Sequence, residues 1–233
     1  MKKLFTLLAA IMVVSVCSAQ SLDEITKKYY AANGLENLEK AQTIVIKGIA
    51  SQMGMELPLT IMVKKPNMVK ILQEFNGMEI VMAYDGEKAF MINPMTGSTD
   101  AVEIPEEQAA SVKEYNLFRD TFMDNFKAGR VTLVGEEAVD GKPAFKLTMK
   151  SEAGAVTTYF IDKATYLTVK SVQTVSQMGQ EMEVESYPKE HKVINGVTFA
   201  TVITQFVNGA EMGGIKFESI EIDTPIEDSV FKL

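Results

Sequence analysis

The side chains that could carry out chemistry in this chain are few and widely separated. The 233 residues include one His, one Cys and no Trp. The His, at position 191, lies in a charged segment (189–192), and the sequence supplies no second His or Cys for a zinc site. No Ser-His-acid arrangement is evident either. We therefore interpret His191 as a solvated surface residue and predict that the protein is not an enzyme.

Two other kinds of motif could hold a ligand, and neither has the necessary pattern. A calcium loop needs oxygen ligands at regular spacing, which the acidic pairs Glu106-Glu107 and Glu136-Glu137 and the group Asp223, Glu227 and Asp228 do not provide. Gly213-Gly214 is not a phosphate-binding loop, because no Lys-Ser/Thr follows it. We predict no metal and no cofactor.

The N-terminus has the three-part pattern of a secretory signal peptide. Lys2 and Lys3 precede an uncharged apolar run, and small residues follow at Ser18 and Ala19. The run is shorter than the roughly 20 apolar residues that span a bilayer. We predict cleavage after Ala19, with residues 1–19 as signal peptide and residues 20–233 as a single domain. The alternative is a lipid anchor at Cys17, although Val16 is bulkier than the residue such signals carry there.

Composition narrows the location and the partners. Residues 20–233 contain no Cys, and export without disulfides fits a periplasmic protein. They carry 21 basic and 31 acidic residues, a net charge of −10, which argues against nucleic-acid binding. We expect a monomer in the periplasm.

Five Asn-Gly or Asp-Gly pairs separate apolar-rich segments and predict tight hairpin turns: Asn76-Gly77, Asp85-Gly86, Asp140-Gly141, Asn195-Gly196 and Asn208-Gly209. Several strands alternate with period two, whereas residues 80–83 are apolar on both faces, as in a sheet covered by helices. The predicted fold is mainly β with a few helices (α+β). We expect a strongly curved antiparallel sheet, an open half-barrel of about 11 or 12 strands, with helices covering its concave face.

Two helical regions are predicted. A capping box at Ser21 and Glu24 opens the first, and Asn33-Gly34 ends it before a second short helix. Later in the chain, Pro105 opens a segment in which aromatic residues recur every three or four positions. This stripe is either a core face or a lid over a groove; its members are Val112, Tyr115, Phe118, Phe122 and Phe126.

Methionine is abundant, with 15 residues, several of them near turns. Its unbranched, polarizable side chain can adapt to flexible acyl chains, but it can equally fill irregular gaps in a core. Both interpretations remain open for the group near the first sheet edge: Met53, Met55, Met62, Met78, Met82 and Met91.

Several phrases, spread in order over residues 20–233, together resemble the LolA-like outer-membrane lipoprotein-sorting family, in its Bacteroidetes-type versions. They are YYAANGLENL (29–38), KPN (65–67), AYDGEK (83–88), MINP (91–94), FID (160–162) and IEIDTPIEDSVF (220–231). The resemblance implies an open half-barrel with a helical lid and a carrier of lipoprotein acyl chains across the periplasm. It also implies an inner-membrane donor complex and an outer-membrane acceptor as partners.

The chain departs from this family at the residue that holds the lid. LolA uses an arginine on an early strand, whereas the early strands here offer only lysines, and Arg119 and Arg130 lie in or beside the helical insert. We therefore assign no gating residue. The alternative function is an envelope interaction or sensor protein of the same fold, without transported cargo.

The predicted function is a periplasmic carrier that binds acyl chains of lipoproteins or other lipids in a hydrophobic groove and delivers them toward the outer membrane. Each buried CH₂ would contribute about 0.8 kcal/mol to binding. A one-residue error in register would exchange the sheet residues for their neighbours. The predicted groove residues are Ile61, Val63, Val69, Ile71, Met82 and Phe90 from the sheet, with Phe118, Phe122 and Phe126 from the helices.

Overall fold

The computed structural model describes residues 20–97, 99–105, 109, 112–113, 115–177 and 180–233. The predicted signal peptide (1–19) and Glu106-Glu107 lie outside the described residues. Over those ranges the chain forms an open, curved antiparallel sheet of 13 strands with three α-helices whose bounds are given below, and residues 109 and 112–113 are also helical. This confirms the predicted fold class, with slightly more strands than expected.

The strands follow one another along the chain as a series of hairpins, and the longest lie in its C-terminal half. Their bounds are β1 (Thr43–Gln52), β2 (Met55–Lys64), β3 (Met68–Phe75), β4 (Met78–Tyr84), β5 (Ala89–Ile92), β6 (Val102–Glu103), β7 (Val131–Val139), β8 (Lys142–Lys150), β9 (Val156–Asp162), β10 (Thr168–Gln177), β11 (Gln180–Ile194), β12 (Val197–Val207) and β13 (Ala210–Ile222).

The first and last strands meet in the middle of the sheet. The spatial order is β6-β5-β4-β3-β2-β1-β13-β12-β11-β10-β9-β8-β7, so that β6 and β7 are the two edges. β1 and β13 pair along their length, from Ile44 opposite Ile222 to Gln52 opposite Gly213. The sheet is thus two meanders joined at the β1–β13 pair.

The Asn-Gly and Asp-Gly pairs form hairpin turns, as predicted. Asn76, Asp140, Asn195 and Asn208 all have positive φ, as do the glycines that follow them. This is the backbone conformation of the two-residue turn that matches the twist of paired strands. Asp85 acts differently, because its carboxylate accepts the backbone N–H groups of residues 87 and 88 and closes the β4–β5 turn.

The first two helices cross one end of the sheet. α1 (Leu22–Asn33) begins with the predicted capping box at Ser21 and ends at Gly34, which has a left-handed φ of 65°. A Cβ on Gly34 would lie 1.9 Å from the carbonyl oxygen of Gly196 in the β11–β12 turn. Only glycine therefore fits this corner, from which α2 (Leu35–Lys40) leads into β1.

The predicted aromatic stripe is not one continuous helix. Val112 is helical, but Tyr115 and Asn116 are not, and a turn follows at residues 117–118. A new helix, α3 (Thr121–Lys127), begins after Asp120, whose carboxylate accepts the backbone N–H of Met123. Asn and Asp side chains compete with a continuing helix by accepting nearby backbone N–H groups, which explains the break.

The C-terminal segment crosses the other face of the sheet. Phe231 in the short 3₁₀-helix Asp228–Phe231 is fully buried, and this helix contacts β3. Lys70 of β3 donates to the carbonyl oxygen of Val230, and Lys64 of β2 forms an ion pair with Asp228. The outer face of β2 and β3 is therefore held by this segment, while the helices lie on the concave inner face.

Candidate functional site

The concave face has a part that the helices cover and a part that they leave open. In the covered part, side chains of all three helices pack on the sheet in one core cluster. Ile25 of α1 and Leu35 of α2 are buried, as is Phe122 of α3, against Ile44 and Ile61 of the sheet. Helices with one apolar face bury it on a sheet in this way.

Eight of the nine predicted groove residues belong to this cluster. Ile61, Val63, Val69, Phe118 and Phe122 are buried in it, and Ile71, Met82 and Phe126 are partly buried against it. That any of them contacts a ligand stays a prediction.

The ninth residue, Phe90, lies on the outer face. It pairs with Ala83, whereas Met82 on the inner face pairs with Met91. Directly opposite residues in an antiparallel pair point to the same side, so Met91 occupies the inner position in β5. Because residues 89–92 are all apolar, their sequence gave no signal of which face each residue takes.

Aromatic packing fills the space beneath α3. The Phe122 ring lies 4.9 Å from that of Tyr29 and 5.1 Å from that of Tyr159, measured between centroids. The Tyr29 hydroxyl donates to Asp120, at 2.9 Å, which links α1 to the start of α3. The covered part of the face is therefore occupied by the protein's own side chains.

Burial perturbs the titratable groups of this contact. Desolvation raises the pKa of Asp120 above its usual value, despite hydrogen bonds that favour the charged form. Desolvation likewise raises the pKa of Tyr159 to about 12, with a contribution from the Asp120 charge. The pKa of Tyr29 is also raised, first by burial and then by Asp120. These shifts describe a dry contact that holds the helices in place.

Beyond the helices, the same face of the sheet contains an open hollow of about 320 Å³. Strand register places most of its side chains on the concave side, because Leu57 pairs with Ala50, and Gln73 pairs with Leu59 next to the core. Ser51 pairs with Gly214 on the opposite face, so these two residues border the hollow through their backbone. The hollow lies where β1 meets β13, and its walls come from five strands. Its lining is Ala50, Ser51, Gln52, Leu57, Gln73, Gln205, Val207, Met212, Gly214 and Ile215.

Irregularities in the strands shape this hollow. The register shifts between Lys47 and Gly48 in β1, and again between Gln205 and Phe206 in β12. Such bulges bend a strand and increase its twist. Gly213 has φ +135°, and a Cβ there would lie 1.8 Å from the carbonyl oxygen of Ser51. The glycine pair 213–214 thus permits close strand approach at the bend.

Sequence reasoning missed these hollow-lining residues as a group. Gln52, Gln205 and Val207 were not predicted as groove residues, and Gly213-Gly214 was considered only as a phosphate loop. The available signal was two consecutive glycines inside a strand pattern, which indicates a bulge or a close backbone approach.

Several other hollows occur among the described residues, and two of them are lined in part by Phe126 and by His191, respectively. One, of about 340 Å³, lies between α1 and α3 and is lined by Thr26, Tyr30, Met123 and Phe126 with Asp23 and Lys27. The other, of about 330 Å³, contains His191, whose pKa is lowered by partial burial. Across the described ranges, no group of three or more His, Cys, Asp and Glu side chains could hold a metal ion.

Among the described residues, no helix is both long enough and apolar enough to cross a membrane.

Comparison with known proteins identifies the fold. No family model matches the sequence, and no curated protein matches it either. Solved structures do match. A LolA superfamily protein from Nitrosomonas europaea aligns with a TM-score of 0.54 at 12% identity, over 87% of this chain and 97% of that one. The chain has a LolA-like fold.

Two other structures with the LolA-like arrangement extend this result. An outer membrane lipoprotein-sorting protein domain from Vibrio parahaemolyticus gives a TM-score of 0.54 at 12% identity, over 90% of this chain and 95% of that one. A DUF1329 family protein from Desulfovibrio piger gives a TM-score of 0.56 at 14% identity, over 89% of this chain and 97% of that one. The resemblance seen in the sequence is confirmed for the fold.

Proposed function

We propose that residues 20–233 form one lipid-binding domain, a periplasmic carrier that shelters acyl chains of lipoproteins or other lipids on its concave face. The observation that carries the proposal is the open hollow of about 320 Å³ beside the core, with Leu57, Val207 and Ile215 in its walls. Small-molecule sites are concave, mostly apolar and about 300–1,000 Å³ in volume. The hollow lies at the lower end of that range.

The apolar surface continues from the hollow toward the helices. Leu59, Ile71 and Phe217 are partly buried residues at the border of the core cluster. An acyl chain that enters the hollow therefore extends along these residues toward the helices. Burial of the chain contributes about 0.8 kcal/mol per CH₂, which favours binding without any polar contact.

The likeness to a lipoprotein-sorting domain and a LolA superfamily protein supports cargo of this class. In this proposal the signal peptide exports the chain, an inner-membrane complex supplies the cargo and an outer-membrane acceptor removes it. Release needs an acceptor site that is equally apolar, because a buried hydrocarbon chain returns to water only at a large cost.

A second function has one observation in its favour. The covered part of the concave face is filled by Tyr29, Phe122 and Tyr159, as expected of an envelope interaction or sensor protein without cargo. The two functions therefore differ in whether the open part of the concave face binds a lipid.

The experiment is native mass spectrometry of the protein purified from the envelope of its own host without denaturation. A carrier retains lipid or lipoprotein in stoichiometric amount and binds a fluorescent fatty-acid ester when emptied. Protein that is bare, and that also ignores the fluorescent ester, would contradict the carrier function and support the alternative. Both measurements use the whole exported chain.

A further inference from the structure

The hollow on the concave face has an uncharged lining. Its ten residues are four aliphatic residues, one methionine, three glutamines, and Ser51 and Gly214, and they include no Lys, Arg, Asp or Glu. Isolated charges are costly to bury without a partner, so an uncharged lining favours an uncharged occupant. The polar part of that occupant must therefore meet amide groups.

The three glutamines lie on alternate strands of the sheet, β3, β1 and β12, with β2 between the first two and β13 between the last two. Gln52 of β1 and Gln205 of β12 are both paired with Gly213 of β13, which places them on the same face, and Gln73 is in β3. Within the described ranges none of the three side-chain amides hydrogen-bonds to another protein group. Each amide can both donate and accept, which suits ester and amide groups.

Four of the hairpins at this end of the sheet, β1–β2, β3–β4, β10–β11 and β12–β13, carry only negative charge. Residues 50–58, 72–80, 173–184 and 204–215 contain no Lys or Arg. The β1–β2 and β12–β13 turns are adjacent, since the backbone N–H of Met53 donates to the carbonyl oxygen of Met212. The acidic residues of these hairpins are Glu56, Glu74, Glu79, Glu181, Glu183 and Glu211.

We infer that the hollow selects acyl chains attached through uncharged ester or amide groups and rejects lipids whose polar end is anionic. The inference rests on the proposed function and deepens it, because it names the chemical class of the cargo. An anionic end would find no cation in the lining, where Gln52 and Gln205 are exposed and Gln73 is half-buried, and it would lie near the carboxylates of the hairpins.

The test compares two lipids that share one acyl chain, laurate and 1-monolauroylglycerol. Binding to the purified exported chain is measured by calorimetry near pH 8 at low salt, below the critical micelle concentration of either lipid. We expect the monoglyceride to bind about tenfold or more tightly, the size expected from desolvating an unpaired charge.

Gln205→Lys places a cation in the hollow. It should strengthen laurate binding and so reduce the difference in affinity between the two lipids. Thr132→Lys is the matched control, because it adds the same charge at an exposed position on edge strand β7. It should leave the difference in affinity between the two lipids unchanged. The inference would be overturned if Gln205→Lys left the difference in affinity unchanged, or if both variants changed it equally.

Binding of the two lipids to the unsubstituted protein tests the selectivity and the carrier function separately. Equal binding of both lipids, or tighter binding of laurate, contradicts the selectivity and leaves the carrier function standing. Binding of neither lipid contradicts the carrier function itself, and the selectivity with it.

Discussion

The covered and open parts of the concave face differ in what fills them. Under the helices, Phe122 is 2% exposed and packs between two tyrosine rings. Beyond the helices, none of the described residues covers the same face, and its side chains border a hollow. One continuous sheet therefore provides both a core, which supplies stability, and a surface that is free to bind.

This difference shows that apolar character alone does not distinguish a core from an open surface of the sheet. Ile61 and Ile215 are both aliphatic residues on the concave side, yet one lies in the core and the other lines the hollow. What separates them is the position of the helices along the strands. Four changes would break or sharpen the comparison.

The largest effect is expected from Phe122→Ala in the covered part. Removing this ring leaves a cavity between Tyr29 and Tyr159 and should lower the free energy of unfolding by about 3–5 kcal/mol. Urea unfolding followed by circular dichroism measures it, with Phe90→Ala on the outer face as control. Phe122→Asp should unfold the chain outright. A folded Phe122→Asp variant that had merely lost lipid binding would show that the region is a movable lid.

A smaller loss is expected from Gly213→Ala at the border of the hollow. The backbone conformation alone costs about 1–3 kcal/mol with a side chain, and the new Cβ would also displace the Ser51 carbonyl group. Gly209→Ala is the control, because a Cβ there meets nothing within 4 Å. Thermal unfolding measures the loss of stability in each variant. Equal losses of stability would mean that the close approach at Gly213 is unimportant.

Val207→Asp in the open part should act on binding and not on stability. The side chain is only half-buried, so we expect less than about 1 kcal/mol of destabilisation, while a charge in the lining weakens lipid binding at least about tenfold. Val193→Asp, at an exposed position outside the hollow, should leave binding intact. Unimpaired lipid binding by Val207→Asp would place the site elsewhere.

The smallest effect concerns the pH dependence of the covered part. Burial raises the pKa of Asp120 in the folded state, so the folded protein holds this proton more tightly than the unfolded chain. Its contribution to stability is therefore greatest at low pH, and it falls as the pH rises from the unfolded pKa through the raised folded value. Asp120→Asn keeps an oxygen that can cap α3 and accept from Tyr29.

We expect Asp120→Asn to remove that part of the pH dependence and to be at least as stable as the parent near neutral pH. Tyr29, Tyr159 and Asp124 also influence this carboxyl, but the tyrosines stay protonated over the acidic range. Denaturation of both proteins from about pH 4 to 8 measures the difference. Parallel stability curves would show that Asp120 titrates normally.

Most of the fold could be predicted from local signals. The Asn-Gly pairs have backbone preferences that specify a turn wherever they occur, and the capping box at Ser21 marks a helix start in the same way. Alternation of Leu57, Leu59, Ile61 and Val63 indicated their shared face, since Glu56, Thr60 and Lys64 on the other face of β2 are polar. These features depend on a few neighbouring residues.

The hollow could not be predicted, because it depends on residues far apart in the sequence. Gln52, Gln73 and Gln205 come together only through the strand order, and the bulges that shape their surroundings shift the register without a strong sequence signal. The break at Asp120 was missed for a related reason. The aromatic spacing was compatible with one helix. The side chains of Asn116 and Asp120 instead accept backbone N–H groups and interrupt it, and the sequence gives only a weak signal of this.

The pairing of β1 with β13 has a consequence for how the protein reaches its final shape. Ile44 finds its partner only when Ile222 has been synthesised, so the contact order of this pair is close to the largest the chain allows. The two meanders can each form early, but the seam between them closes late. Since the hollow lies across that seam, a nascent chain cannot form it until β13 has been synthesised.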